Sequence, residues 1–230
     1  MTLFILIALL IFAVLALLPQ WWIKHTLAQH GQQREDLPGT GSELAAHLLY
    51  EMDLHDVRVI RGGKGQDYYD PSNKKVSLSP EHFDGKSLAA VAVAAHEVGH
   101  AIQHHNMEPD FLRRIDMNIK AQKIEKYSAW AMMVTPVLPL LTRLPHTSLL
   151  TIAFGLAGML AATWVHVLTL PVETDASFNK ALPMLQKMEK LSETDLKGAR
   201  QVLRAAAFTY VAATLSSLLS IGRWLMMIRR

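Results

Sequence analysis

Apolar residues in this chain gather into four long blocks, 3–18, 129–144, 148–170 and 205–228, with polar stretches between them. A soluble domain spaces its apolar positions at helix or strand periods, whereas uninterrupted apolar runs are the pattern of segments that face lipid. Blocks 148–170 and 205–228 are long enough to span, since about 20 apolar residues cross the hydrocarbon core. Block 3–18 is followed by Trp21 and Trp22, amphipathic rings suited to the headgroup region. Its start lacks a basic n-region and no small-x-small site follows it, so it reads as a retained helix and not a cleaved signal peptide. Block 129–144 is shorter and carries Pro136 and Pro139, which leaves a re-entrant path open for it. Gly158 and Ala162, with Ala212, Ala213, Ser216 and Ser220, would let the membrane helices pack closely.

Between the first and second blocks lies a polar region with shorter periods. Residues 42–50, "SELAAHLLY", read as a helix capped by Thr40 or Ser42. "DVRVIRGGKG" reads as a strand entering a glycine-rich turn, and "YYDPSNKKVSLS" as a turn followed by a strand over Lys75, Val76, Ser77, Leu78 and Ser79. The alternation in that last strand predicts that only one face is buried. From Ser87 to about His105 the pattern is helical, with Ser87 as cap and Pro109 as stop. The next segment, "DFLRRIDMNIKAQKIEKY", sets Phe111, Ile115 and Ile119 four residues apart among Arg and Lys, as a helix lying on an anionic membrane surface or packed on the domain would do.

The organisation expected is therefore α+β, mainly α: an integral membrane protein with about four transmembrane helices. Its parts are an N-terminal spanning helix (1–23), a domain with a small sheet (24–127), a transmembrane hairpin (128–171), a further helix (172–204) and a C-terminal spanning helix (205–230). Composition narrows the chemistry. The chain has no cysteine, so any transition metal must be held by imidazole and carboxylate. The net charge of +3 arises from Lys and Arg beside the apolar blocks and not along one stripe. That favours membrane lipids over nucleic acid as the partner.

The polar region contains "VAVAAHEVGHAIQHH", residues 91–105. His96 and His100 are four residues apart, so in a helix they project about 40° apart and can share one cation. Glu97 falls between them in angle but one residue too early to join them comfortably, and is better placed as general base for an attacking water. This is the content of HExxH, and it implies one Zn2+ per chain. Gly99 lowers the helix propensity, an oddity explained if another backbone must approach closely there. His104 falls at the end of the helix, His105 is expected to be exposed, and His47, His55 and His82 have no recruiting spacing.

A catalytic zinc takes three protein ligands and keeps one position open. "LPVETDASFNKAL" offers Glu173 and Asp175 directly after a membrane block. If blocks 129–144 and 148–170 both cross, the chain returns to the side carrying His96 just before Glu173. Either carboxylate remains a candidate ligand at this point.

The second, third and last of these pieces, "YYDPSNKKVSLS", "AAHEVGHAIQ" and "LPVETDAS", together with the flanking helices, resemble the bacterial membrane zinc metallopeptidases named for YugP. The resemblance covers essentially the whole chain. It implies a zincin-like (minigluzincin) catalytic domain in which His96 and His100 bind zinc, Glu97 is the base and Glu173 is the third ligand. Related gluzincins, the HtpX and CAAX-prenyl proteases among them, place an aspartate four residues after the ligand glutamate. Here that position is Ser177 and the aspartate is Asp175, so Asp175 stays a candidate for supporting a ligand or for being one.

The function expected is a membrane-embedded, zinc-dependent endopeptidase acting on membrane-associated or unfolded proteins. Lys75 to Ser79 is the candidate edge strand for pairing with substrate, Tyr68, Tyr69 and His166 are candidates for stabilising an oxyanion, and His166 is, like Asp175, also a candidate for supporting a ligand or for being one. Basic residues crowd the segments bearing His96 and Glu173, with Arg143 in the short opposite loop, which places the site on the cytoplasmic face of the bacterial inner membrane. Arg229 and Arg230 fall on the other side. The rival from another class is a non-catalytic zinc-binding membrane adaptor or chaperone, which would normally need four protein ligands. A transporter fits less well, because the blocks lack Asp, Glu or Lys along their length.

Overall fold

The structure, a computed structural model, describes residues 2–134 and 147–228. Helices dominate, accompanied by one three-stranded sheet. In order the elements are α1 (Thr2–His30), α2 (Gly41–Glu51), β1 (Arg58–Arg61), β2 (Tyr68–Asp70), β3 (Lys75–Leu78), α3 (Pro80–Phe83), α4 (Leu88–His105), α5 (Pro109–Val134) and α6 (Thr147–Asp175). A π-helical turn (Ala176–Ala181), α7 (Leu182–Lys187) and α8 (Glu193–Ile228) complete them. The chain divides into two compact units. One comprises Leu18–Leu112 with Leu170–Thr209, and the other Met1–Leu17, Arg113–Thr169 and Tyr210–Arg230.

The first unit is built around α4. Ser87 starts that helix by accepting from the backbone N–H of Ala90 at 3.1 Å, and the alanine-rich body lets neighbours approach from every side, so residues 88–101 are all buried. Against it pack α2, the π-helical turn and α7. Helix α2 begins with a capping box, in which Thr40 Oγ1 accepts from Glu43 N and Glu43 Oε2 accepts from Thr40 N. Its Ala45, Leu48 and Leu49 join Leu54, Val76, Leu78, Val98, Leu185, Val202 and Leu203 in one core.

The sheet order is β1-β3-β2, with β3 parallel to β1 and antiparallel to β2. The expectation of an edge strand over Lys75, Val76, Ser77, Leu78 and Ser79 is thereby corrected. The segment 75–78 is the middle strand, and both its hydrogen-bonding edges are taken. Nor is it half-buried: Val76, Ser77, Leu78 and Ser79 are all fully buried. Alternation anticipated the apolar face, but the glycine-rich segment folds back over the polar one. There Ser77 Oγ donates to Gln66 O at 3.1 Å, while Ser79 N and Oγ donate to the Asp67 carboxylate at 2.7 and 3.0 Å.

Among the described residues the second unit is helical throughout. The close helix packing expected from small residues occurs at Gly158, where an added Cβ would stand 2.7 Å from Ser128 Cβ. Here Arg114 Nη2 donates to Tyr210 Oη at 3.2 Å with the guanidinium over the Tyr210 ring. Among the described residues one helix, Gly155–Lys187, is long and apolar enough to cross a membrane by length and composition. Pro136, Pro139 and Arg143, and with them the path of block 129–144, lie outside the described residues, as do Arg229, Arg230 and the Ser220 side chain.

Candidate active site

Helix α4 carries His96 and His100 on one side, and their rings meet edge to face with centroids 4.7 Å apart. Opposite them runs the end of α6. What brings the two segments together is Gly99, since a Cβ there would lie 2.8 Å from the backbone oxygen of Ala176. The close approach anticipated at Gly99 is thus to the turn that follows Glu173. Glu173 Oε2 stands 3.1 Å from His96 Nε2 and 3.4 Å from His100 Nε2. One ligand atom from each of His96, His100 and Glu173 lies within 4.8 Å of the others, and all three residues are buried.

The hydrogen bonds behind the imidazoles decide what those atoms are. Ser177 Oγ lies 3.2 Å from Leu203 O, to which it donates, so it accepts from His96 Nδ1 at 3.0 Å. Gln103 Nε2 donates to Val172 O and Asp175 Oδ2, leaving Gln103 Oε1 to accept from His100 Nδ1 at 2.9 Å. Both rings therefore carry a proton on Nδ1, and each in its neutral form turns a lone pair on Nε2 toward a carboxylate oxygen. Three buried acceptors facing one another repel unless a cation lies among them. Two imidazoles and one carboxylate are a donor set suited to Zn2+, so the residues present fit that ion.

Glu97 is buried on α4 between the two histidines. Burial pushes its carboxyl above the usual carboxylate range; His96 and His100 pull the other way, and the negative charges of Glu173 and Asp67 add to the rise. Asp175 does not join the cluster. Its carboxylate accepts from Gln103, Asn179 and Lys180 instead. His166 is in the helical unit, with its ring 6.2 Å from that of Tyr210. Tyr69 spends its hydroxyl on His104 Nδ1 at 2.9 Å. Burial, reinforced by Asp56 and Asp70, pushes that phenol up to about 12. Tyr68 is exposed on β2, His104 lies in the last turn of α4 and His105 is exposed, as expected.

Two residues of this arrangement had no assigned role in the sequence. Ser177 was visible only as the residue standing where related enzymes carry aspartate, and it supplies the acceptor for His96 that an aspartate would. Gln103 lies one turn beyond His100 on the same face of α4, a position where a polar residue in an otherwise buried helix was the available signal.

The model of a family described as "Putative neutral zinc metallopeptidase" matches residues 4–229. The "Putative membrane protease YugP" of Bacillus subtilis (strain 168) is 34% identical over 209 residues, which is 90% of this chain and 88% of that protein. No solved structure matches. Since the family match runs from the first helix to the last and takes in both α4 and the end of α6, the chain belongs to this neutral zinc metallopeptidase family.

Proposed function

We propose that this chain is a membrane-embedded zinc endopeptidase that hydrolyses peptide bonds in membrane-associated or unfolded proteins. The observation that carries the reading is the convergence of His96, His100 and Glu173, whose acceptor atoms lie within 4.8 Å of one another with both tautomers preset. These three would hold the ion. When bound, zinc supplies Lewis acidity to a peptide carbonyl and to the attacking water.

The remaining steps belong to the chain. Glu97 takes a proton from the water as its oxygen bonds to the carbonyl carbon, then delivers that proton to the amine as the C–N bond breaks. Its raised proton affinity suits both transfers. Ser177 and Gln103 keep the imidazoles from turning while charge develops. A substrate segment would pair along β2, the edge strand that packs against α4, because β3 has no free edge.

Membrane embedding rests on the four apolar blocks, on the apolar Gly155–Lys187 helix and on the printed name of the Bacillus relative. Lys24, Arg113, Arg114, Lys120, Lys123 and Lys126, with Lys180, Lys187 and Lys190, are the residues that favour a multi-pass arrangement with the site on the cytoplasmic side. The test is Glu97→Gln in the full chain, assayed for zinc content and for cleavage of an unfolded protein. Retained zinc with cleavage reduced about 10²- to 10⁴-fold is expected for loss of a general base. Unchanged cleavage, or a wild-type chain that binds no zinc, would overturn the reading.

A further inference from the structure

We propose that Gln103 is the positioning residue of the metal centre, joining the second and third ligands through one side-chain amide that is itself held by a polar chain running through Asp175 and Lys180 to Glu108. The inference rests on the zinc reading above and concerns how that site is kept in shape.

Gln103 is 1% exposed, and every polar atom of its side chain is used. Oε1 receives the His100 Nδ1 proton at 2.9 Å, and Nε2 donates at 3.0 Å to the carbonyl of Val172, the residue before Glu173. One amide therefore fixes the ring of one ligand and the backbone that presents another. These two ligands are far apart in sequence, and no shorter covalent path relates them. The same Nε2 donates to Asp175 Oδ2 at 2.7 Å. That oxygen also accepts from Lys180 Nζ at 2.9 Å, and Lys180 reaches Glu108 Oε1 at 2.9 Å, just past the end of α4.

The chain has a direction. An amide that donates to a carboxylate is polarised, so its oxygen becomes a better acceptor. A better acceptor on Nδ1–H makes Nε2 of the same ring a stronger donor to a metal. At His96 the Nδ1 partner is instead the neutral Ser177 hydroxyl, which donates its own proton to Leu203 O. The two imidazoles look alike in the sequence, yet at His100 the Nδ1 side is coupled through Gln103 to a carboxylate. Asp175 consequently serves the site from behind Gln103. The register also depends on the π-helical turn, where Asp175 and Lys180 lie five residues apart and meet on one side.

The experiment uses the full-length protein in detergent micelles, stripped of metal, with zinc affinity read by competition against a chromogenic chelator. Gln103→Met preserves size and removes both hydrogen-bonding ends; zinc binding about 10- to 100-fold weaker than wild type is expected. Ser177→Ala is expected to lose less. Exchanging the groups, Gln103→Glu with Asp175→Asn, returns an acceptor to His100 and a donor to its neighbour, and should recover part of the loss. A second measurement does not depend on the variants folding: nitrogen chemical shifts of the His100 ring in the metal-free wild type should report the Nδ1–H tautomer. Gln103→Met binding zinc as tightly as wild type, a Ser177→Ala loss exceeding that of Gln103→Met, or an Nε2–H tautomer at His100 would each overturn the inference while leaving the zinc reading intact. A wild type without zinc affinity would sink both.

Discussion

The two units follow opposite rules about what is inside. In the unit built on α4, ionisable and polar groups are buried: His96, Glu97, His100, Gln103, Glu173 and Ser177 all lie in the interior. In the helical unit, large apolar side chains face outward, among them Trp130, Met133, Leu160, Trp164 and Leu218. A buried polar group costs free energy unless it is bonded, and the first unit meets that demand with the pairings behind its imidazoles. Outward apolar surface on this scale marks contact with something other than water, and lipid is that partner under the function proposed. Folding in one unit thus depends on hydrogen-bond geometry and tight packing, and in the other on the length and composition of helices.

Matched truncations would break this contrast most sharply. Leu203 is fully buried, and Leu203→Ala is expected to cost about 2–5 kcal/mol. Leu160 is 55% exposed, and Leu160→Ala is expected to cost about 0.5 kcal/mol or less. Chemical unfolding of both variants in one detergent decides the matter, and equal losses would abolish the distinction. Gly99→Ala comes next. Its methyl would meet the Ala176 carbonyl at 2.8 Å, and neither backbone yields cheaply. A loss of about 1–3 kcal/mol from overpacking is expected, and an unchanged unfolding midpoint would remove Gly99 from the account of how the ligands meet.

The smallest effect concerns Asp67. Burial opposes ionisation of its carboxyl, but the His82 imidazole and then the Ser79 N–H and hydroxyl outweigh burial and hold it below its ordinary range. A depressed folded-state pKa means stability that is complete above the unfolded value and lost as pH falls through the folded one. Asp67→Asn should therefore melt below wild type at neutral pH, with the gap closing in acid. A gap independent of pH would show that the charge on Asp67 contributes nothing.

Local chemistry was legible in the sequence wherever one helix or one turn contains all of it. The spacing of His96 and His100, the caps at Thr40 and Ser87 and the close approach at Gly99 all follow from residues within a turn or two of each other. What could not be read depends on chain returning from far away. Glu173 and Asp175 are about 200° apart on a helix, so only one of them can face α4, and nothing local says which. The middle position of β3 was hidden because pairing and the fold-back of the segment before β2 are long-range. Gln103 is polar in any reading of α4, but its task is defined by Val172 and Asp175, 69 and 72 residues away.

The π-helical turn after Asp175 has a consequence for phase. Nine residues beyond Glu173, an unbroken α-helix would have rotated Leu182 about 180° away from the carboxylate. The wider turn lags behind that rotation, so Leu182 and Leu185 come back into the core beside α4, on the side served by Glu173 and Ser177. Shortening the segment 176–181 by one residue would make the helix regular and still leave Leu182 only about 80° from Glu173, so the wide turn is what lets one extra residue stand between ligand and anchor without turning the anchor away.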